Sequence, residues 1–514
     1  MNKSLTFLLT KARENKVFLF LCLFYFIFRL ISLTKLPIFN DESIYLDWGF
    51  RETHRAGFLY YSLYDAKQPF LMWIFGIMES IISDPLFAGR LVSVVTGFLT
   101  LIGIFKLTKY LFAGKTALIS SFLYTIVPIF SFYDRQALME SSVATIGIWT
   151  CYFLLKGFKE NSLRNSVFAG LVLGIGFFIK SSSFVYFVSY VALVLTYFLI
   201  SRRTRIVGNL LVTLAVFIGA ISFLIINPQF WSTIQSNSRY TLTINEILNF
   251  PFGQWFGSLS ANAQICFFYI TPLLFLLSLA GIIIVLAKKD VFKNLFLSFF
   301  LFSFLVTTLL VRIPTDRYII SFLPFLVIPA SYVIISVLNK NKFFGVIFML
   351  IIFIIPFGLT LLQVINPVNY LLLTGKYTPF GNMSYLQGFT SGYGIDETVS
   401  YFKDISKTKS IYVTVGENTG NPESAMLTYF NNFPNVHATY FDSRLLGPDL
   451  VSLDCFTSDS PLYFVSRDEQ LVGLDKFLQK IKTIKNPYGV NTIGIYELKK
   501  NCKGKTLKLQ VRST

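Results

Sequence analysis

Residues 16–45 read KVFLFLCLFYFIFRLISLTKLPIFNDESIY. A lysine opens the stretch, an apolar block follows at 17–33 with Arg29 as its one charge, and the acidic pair Asp41-Glu42 comes soon after. Roughly 17 to 25 such residues cross a bilayer as a helix. Lys3, Lys11, Arg13 and Lys16 precede the block as they would in a signal peptide, but it ends Ile31-Ser32-Leu33 without a small-residue cleavage pattern. It therefore reads as a retained first helix, with Asp41 and Glu42 on the far side of the membrane.

The rest of the chain repeats this pattern. Of its 514 residues 54% are hydrophobic, 17% aromatic and 14% charged, well below the roughly 25% charge of soluble domains. Further apolar blocks at 86–110, 117–132, 142–155, 166–179, 184–200, 206–226, 265–287, 295–311, 319–338 and 344–365 bring the expected spans to about eleven. The breaks holding Lys106, Lys109 and Lys115; Lys156, Lys159 and Arg164; Arg202, Arg203 and Arg205; Lys288, Lys289 and Lys293; and Lys340 and Lys342 fall on one side. By the positive-inside rule that side is cytoplasmic. Acidic residues agree: Glu14, Glu160 and Asp290 fall inside, whereas Asp41, Glu42, Asp47, Glu52, Asp65, Asp134, Glu140 and Asp316 fall outside. The net charge of +18 is thus mostly topology, and nucleic-acid binding is not needed to explain it. The expected setting is a plasma (inner) membrane, multi-pass, with a cytoplasmic N-terminus.

The apolar stretch 70–82 is interrupted by Glu79 and is too short to span, which favours an interfacial or re-entrant helix in a first outer loop of residues 34–85. The domain expectation is a membrane part at 1–365 and an extracytoplasmic α/β domain at 366–514, which carries 13 of the 27 acidic residues. In that tail, strands are expected at 410–415, 438–441, 462–465 and 492–496, and helices at 397–405, 423–430 and 473–484. Cys455 and Cys502 share the tail and could pair. Cys22, Cys151 and Cys266 lie in spans as packing residues.

Charge near membrane depth is expensive, so each outer charge needs a reason. Asp41 is suited to act as a general base at a partly desolvated interface; equally, Asn40, Asp41 and Ser43 could simply cap a short helix. Lys67, before Gln68-Pro69, could hold a lipid phosphate or snorkel to the headgroups. Tyr133-Asp134-Arg135-Gln136, Glu140, Lys180, Arg312 and Asp316-Arg317-Tyr318 gather more charge on the same face. Cations beside carboxylates are what a phosphate-bearing lipid and a hydroxyl acceptor would require together. Arg90 and Arg239 read as interfacial anchors, and Arg29 as a snorkelling residue. The two histidines, His54 and His437, and the lack of Cys-x-x-Cys argue against a histidine or thiolate zinc site. No phosphate-binding Gly-x-x-x-x-Gly-Lys loop occurs.

Taken in order, these motifs resemble the type C membrane glycosyltransferases, in particular the protein O-mannosyltransferases and the lipid A aminoarabinose transferases. The resemblance rests on an exported Asp-Glu after helix one, Lys-x-Pro before a short apolar helix, Arg-Gln followed by an acid, and Arg-Tyr opening a late helix. Ser391-Gly392-Tyr393-Gly394 is similar to the tail of prokaryotic members. It implies an α-helical polytopic fold, a sugar donor on a polyprenyl phosphate, and inverting transfer to a hydroxyl on a glycan, lipid or protein of the cell envelope. It further implies Asp41 as base with Glu42 beside it, Glu140 as the second acid, and Lys67, Arg135, Lys180 and Arg317 at the donor phosphate. Gln68 departs from the usual Lys-Pro-Pro. A divalent cation, if one takes part, would fall to Asp41, Glu42 and Glu140. A transporter or flippase of lipid-linked glycans is the rival reading, although that class places charges at the midplane and shows paired halves.

Overall fold

Backbone groups in a bilayer core find no water, so apolar segments there must close their hydrogen bonds internally as helices. The computed structural model describes residues 3–231, 239–376, 382–416, 420–441, 450–452, 461–467, 478–498 and 508–510. In chain order the helices begin with α1 (Lys3–Leu30), α2 (Asn40–His54), α3 (Phe70–Glu79), α4 (Pro85–Leu111), α5 (Gly114–Ile126), α6 (Pro128–Tyr133), α7 (Glu140–Glu160) and α8 (Leu163–Ile179). There follow α9 (Phe184–Ser201), α10 (Arg205–Ile225), α11 (Ile244–Leu248), α12 (Phe252–Tyr269), α13 (Pro272–Ala287), α14 (Val291–Leu310), α15 (Asp316–Ile319), α16 (Leu323–Lys340), α17 (Lys342–Ile365) and α18 (Pro367–Thr374).

Every expected span falls on helix, but the count of eleven is not met by length and apolarity alone. Six helices satisfy both among the described residues, and α12 with α13 makes a seventh. The expected single span at 265–287 is in fact this pair, bent by 114°. Thr271 takes φ 76° at the break and Pro272 opens the second arm, a position where proline's missing N–H costs nothing. Pro128 likewise ends α5 after 13 residues, and α8 has only 17. The apolar α3 has only ten residues, too short to cross.

The chain divides into two packed units: Met1–Leu33, Ser62–Leu71 and Arg90–Phe380 form the first; Thr34–Tyr61, Met72–Gly89 and Gly381–Thr514 form the second. The first is the membrane bundle, and the protein is a multi-pass membrane protein. Close helix approach there uses small residues. A Cβ on Gly281 of α13 would stand 2.2 Å from the carbonyl oxygen of Pro329 in α16, and the Ser278 hydroxyl donates to the Leu326 carbonyl at 2.9 Å.

The second unit joins most of residues 34–89 to the tail, whereas the sequence suggests a simple cut after residue 365. Its five-stranded sheet runs β2 (Val436–Phe441), β1 (Ile411–Gly416), β4 (Leu462–Arg467), β6 (Thr492–Leu498), β5 (Leu478–Lys485). β1 is parallel to β2 and β4, and β6 is antiparallel to β4 and β5. A two-stranded antiparallel pair joins β3 (Leu450–Ser452) to β7 (Lys508–Gln510). Helices α19 (Ile395–Ser406) and α20 (Glu423–Phe430) complete the α/β domain, and α2 lies against α20. Four strand expectations and two helix expectations fall on these elements. The helix expected at 473–484 does not: 478–485 is β5, and a register shift between Lys480 and Lys482 breaks the two-residue alternation that would have marked it as strand. Cys455 and Cys502 lie outside the described residues.

Candidate active site

The residues singled out by sequence fall into two groups, one in each unit. In the membrane unit Glu140 starts α7 and Lys180 follows the end of α8, while Arg317 lies in the short α15. These helix ends meet. Glu140 Oε1 accepts from Lys180 Nζ at 3.0 Å and from Arg317 Nε at 2.8 Å. The carboxylate is fully buried, whereas the Lys180 and Arg317 side chains are 19% and 25% exposed. Glu140 Oε2 is buried with no partner among the described residues. Burial holds the Lys180 ammonium below its usual range against the pull of Glu140, and Arg317 and Lys67 push the same way as burial. Two cations thus converge on one carboxylate oxygen.

Lys67 stands 5.4 Å over the ring of Tyr240. Its neighbour Gln68, the departure from the Lys-Pro-Pro pattern, is buried and accepts from the backbone N–H of Ser181 at 3.0 Å. The side chain that follows Lys67 therefore grips the residue that follows Lys180, which a proline could not do. Asp316 accepts from the Tyr133 hydroxyl at 3.1 Å and the Tyr269 hydroxyl at 2.9 Å, which fixes the start of α15 and so Arg317. These three positioning contacts are absent from the sequence reading. Asp316 was within reach of it, since an acid beside Arg317 at membrane depth needs donors.

Arg135 is placed elsewhere. Nη1 donates to the carbonyls of Phe28 and Ile31, both at 2.8 Å, and Nη2 to that of Ser32 at 2.8 Å. It closes the unsatisfied carbonyl end of α1 rather than presenting its fork to a phosphate. Arg29 does not snorkel either: it is fully buried in an ion pair with Asp134 at 3.1 Å. Arg90, expected as an anchor, is buried and donates to the Leu33 carbonyl at 2.9 Å and to Gln136. Arg312 forms a two-armed pair with Glu246 at 2.7 and 2.9 Å, and together with Thr243 this holds the Glu246 carboxyl at about 2. Glu246, just after the start of α11, is thereby tied to Arg312, just past the end of α14.

In the second unit Asp41 and Glu42 occupy the first turn of α2, where acids favour the helix dipole. Glu42 is fully buried and accepts from the Phe39 backbone N–H at 2.9 Å. It does the work of a cap. Asp41 is half-buried, and Asn40 Nδ2 faces its Oδ1 at 3.5 Å. Further along the helix, Asp47 and Arg51 form a buried pair at 2.9 Å, and Tyr440 and Asn431 of the tail also donate to Asp47. Glu79 is pushed well above the usual carboxylate range by burial and by Asp47. Among the described residues no three His, Cys, Asp or Glu side chains gather as a metal site.

The family of dolichyl-phosphate-mannose-protein mannosyltransferases matches residues 66–241, a stretch that contains Lys67, Gln68, Arg135, Glu140 and Lys180. No curated protein matches the chain. Among solved structures, apo ArnT from Cupriavidus metallidurans aligns with a TM-score of 0.59 at 14% identity, covering 95% of this chain and 98% of that one. The same protein bound to undecaprenyl phosphate gives 0.56 at 13% identity, covering 96% and 98%. The Archaeoglobus fulgidus oligosaccharyltransferase gives 0.54 at 13% identity over 82% of this chain and 62% of that one. The chain has the type C glycosyltransferase fold, with a small α/β domain at its end, and the resemblance carried by its motifs is borne out.

Proposed function

We propose that this protein is an inverting glycosyltransferase that moves a sugar from a polyprenyl-phosphate donor to a hydroxyl acceptor at the outer face of the membrane. The observation that carries the reading is the cluster at Glu140. Two partly exposed cations, Lys180 and Arg317, converge on one carboxylate oxygen, a pairing of charge suited to a leaving phosphate. Lys67 adds a third cation, whose charge acts on the Lys180 ammonium. Support also comes from the neighbour solved with undecaprenyl phosphate.

In the proposed step Asp41 takes the acceptor's hydroxyl proton as its oxygen attacks the anomeric carbon. The bond from that carbon to the phosphate oxygen breaks on the opposite side, and the polyprenyl phosphate leaves with the electron pair. Lys67, Lys180 and Arg317 stabilise the charge it gains. Glu140 holds two of these cations in place, and Glu42 fixes the turn on which Asp41 stands. The donor is already activated, so no nucleotide is needed. The expected setting is the inner membrane, with the tail domain outside.

The test supplies purified membranes with several radiolabelled polyprenyl-phosphate sugars, wild type against Asp41→Asn. Transfer from one donor, abolished in the mutant, is expected. Undiminished transfer by the mutant removes Asp41 as the base, and no transfer from any donor turns the assignment toward transport.

A further inference from the structure

Within the second unit the start of α2 is held by the tail at several points. The Asn40 backbone N–H donates to the Thr390 carbonyl at 3.0 Å. The Thr428 hydroxyl donates to the Ser43 carbonyl at 2.9 Å, and Asn421 Nδ2 to the Ile38 carbonyl at 3.0 Å. Two glycines allow this closeness. A Cβ on Gly392 would stand 2.0 Å from the Ile38 carbonyl oxygen, and one on Gly420 would stand 2.1 Å from Asn40 Oδ1.

One further bond has a different consequence. The backbone N–H of Asn421 donates to Asn40 Oδ1 at 2.9 Å. A carboxamide has an acceptor end and a donor end, so an N–H on Oδ1 decides which way the amide points. Nδ2 is then the end that faces Asp41 Oδ1, at 3.5 Å. Asn40 and Asn421 are both buried, and turning the amide over would set its NH2 against the Asn421 N–H, donor against donor.

We propose that Asn40 is a positioning residue for the Asp41 carboxylate, with its amide oriented by the backbone of Asn421 in the tail domain. The tail thus acts on the base through this one amide, and its other contacts with α2 serve stability alone. At 3.5 Å the contact is at the long limit of a hydrogen bond, able to select a side-chain orientation without neutralising the acid. The proposal rests on the reading of Asp41 as the base.

The test uses the full chain and the radiolabelled polyprenyl-phosphate sugar that the wild type turns over, with kcat, donor KM and melting temperature measured together. Asn40→Asp keeps an oxygen for the Asn421 N–H and loses the donor toward Asp41. A kcat lowered about tenfold, donor KM within about twofold and melting within about 2 °C of wild type is the expected result. Asn40→Ala, which adds no charge, loses kcat to the same extent but melts lower. Thr428→Val weakens tail docking without touching Asn40, and is expected to melt lower with kcat intact. Full kcat in both Asn40 variants overturns the proposal, and so does a Thr428→Val loss equal to theirs. Asp41→Asn separates the two levels. If it stays active, the base assignment falls and this proposal with it; if it is dead while the Asn40 variants are fully active, only the positioning role is lost.

Discussion

Asp134 and Glu140 lie six positions apart in the chain, both buried in the membrane unit and both paired with arginine, yet their surroundings differ in kind. Asp134 receives Arg29 Nε at 3.1 Å, the Tyr25 hydroxyl at 3.2 Å, the Tyr124 hydroxyl at 3.0 Å and the Ser141 hydroxyl at 2.7 Å. Arg29 spends its other nitrogens on the carbonyls of Thr125 and Tyr124. That network is closed and buried. At Glu140 one oxygen serves two cations, the other has no partner among the described residues, and both cations reach solvent. A saturated acid ties helices together, whereas one with an oxygen left over has capacity for a further donor.

The sharpest way to break this contrast is to delete each acid. Asp134→Ala leaves Arg29 charged, buried and without a carboxylate, and is expected to destabilise the bundle by roughly 3–5 kcal/mol, read as lost detergent-solubilised protein and a lowered melting point. Glu140→Gln is expected to melt much closer to wild type while losing turnover. Equal melting losses in the two would erase the distinction.

A third buried acid sharpens it from the other side. Glu423, at the start of α20, has no ion pair among the described residues, and burial raises its carboxyl to about 7, with Arg467 pulling weakly back. Its folded value lies above the unfolded one, so the folded state binds the extra proton. Tail stability should therefore be greatest below about pH 4.5 and fall as pH rises toward 7, by roughly 3 kcal/mol in all. Hydrogen exchange of the β1 and α20 amides, corrected for intrinsic rate, checks this. Glu423→Gln should flatten the profile, and an unchanged slope in that variant would refute the assignment.

Arg317→Ala is expected to lower donor turnover about a hundredfold with little change in melting, because its guanidinium is partly solvated and its loss leaves Lys180 still paired with Glu140. The smallest effect belongs to Gln68. Gln68→Ala removes the acceptor for the Ser181 N–H and should raise donor KM about fivefold, in line with one hydrogen bond of about 1 kcal/mol. A KM equal to wild type would mean that Lys67 and Lys180 do not need this tie.

Much of the architecture was legible because bilayer physics writes it coarsely. Apolar blocks gave the helices, lysine and arginine placement gave an expected side for each break, and glycine turns marked the tail. Partnerships were not legible. Arg29 read as a snorkelling residue because its distance from the helix end allowed it, and only the fold brings Asp134 beside it. Arg135 read as a phosphate ligand because of its type and order, while the carbonyls it closes belong to a helix about a hundred residues earlier. In the tail, Leu474, Leu478, Ile481 and Ile484 repeat near helical spacing, and the pairing with β6 that makes 478–485 a strand, bulged around Ile481, leaves no mark in composition. Glu42 was read as a supporting acid, and its place three residues after Phe39 was the available sign that it caps α2.

The most direct test of the central claim, that the Glu140 cluster receives the lipid phosphate, is equilibrium binding of polyprenyl phosphate to the purified chain, comparing wild type with Arg317→Ala and with Tyr124→Phe as the control from the closed network. Binding weakened at least tenfold in Arg317→Ala and unchanged in Tyr124→Phe is the predicted result. Equal binding by all three proteins would contradict it.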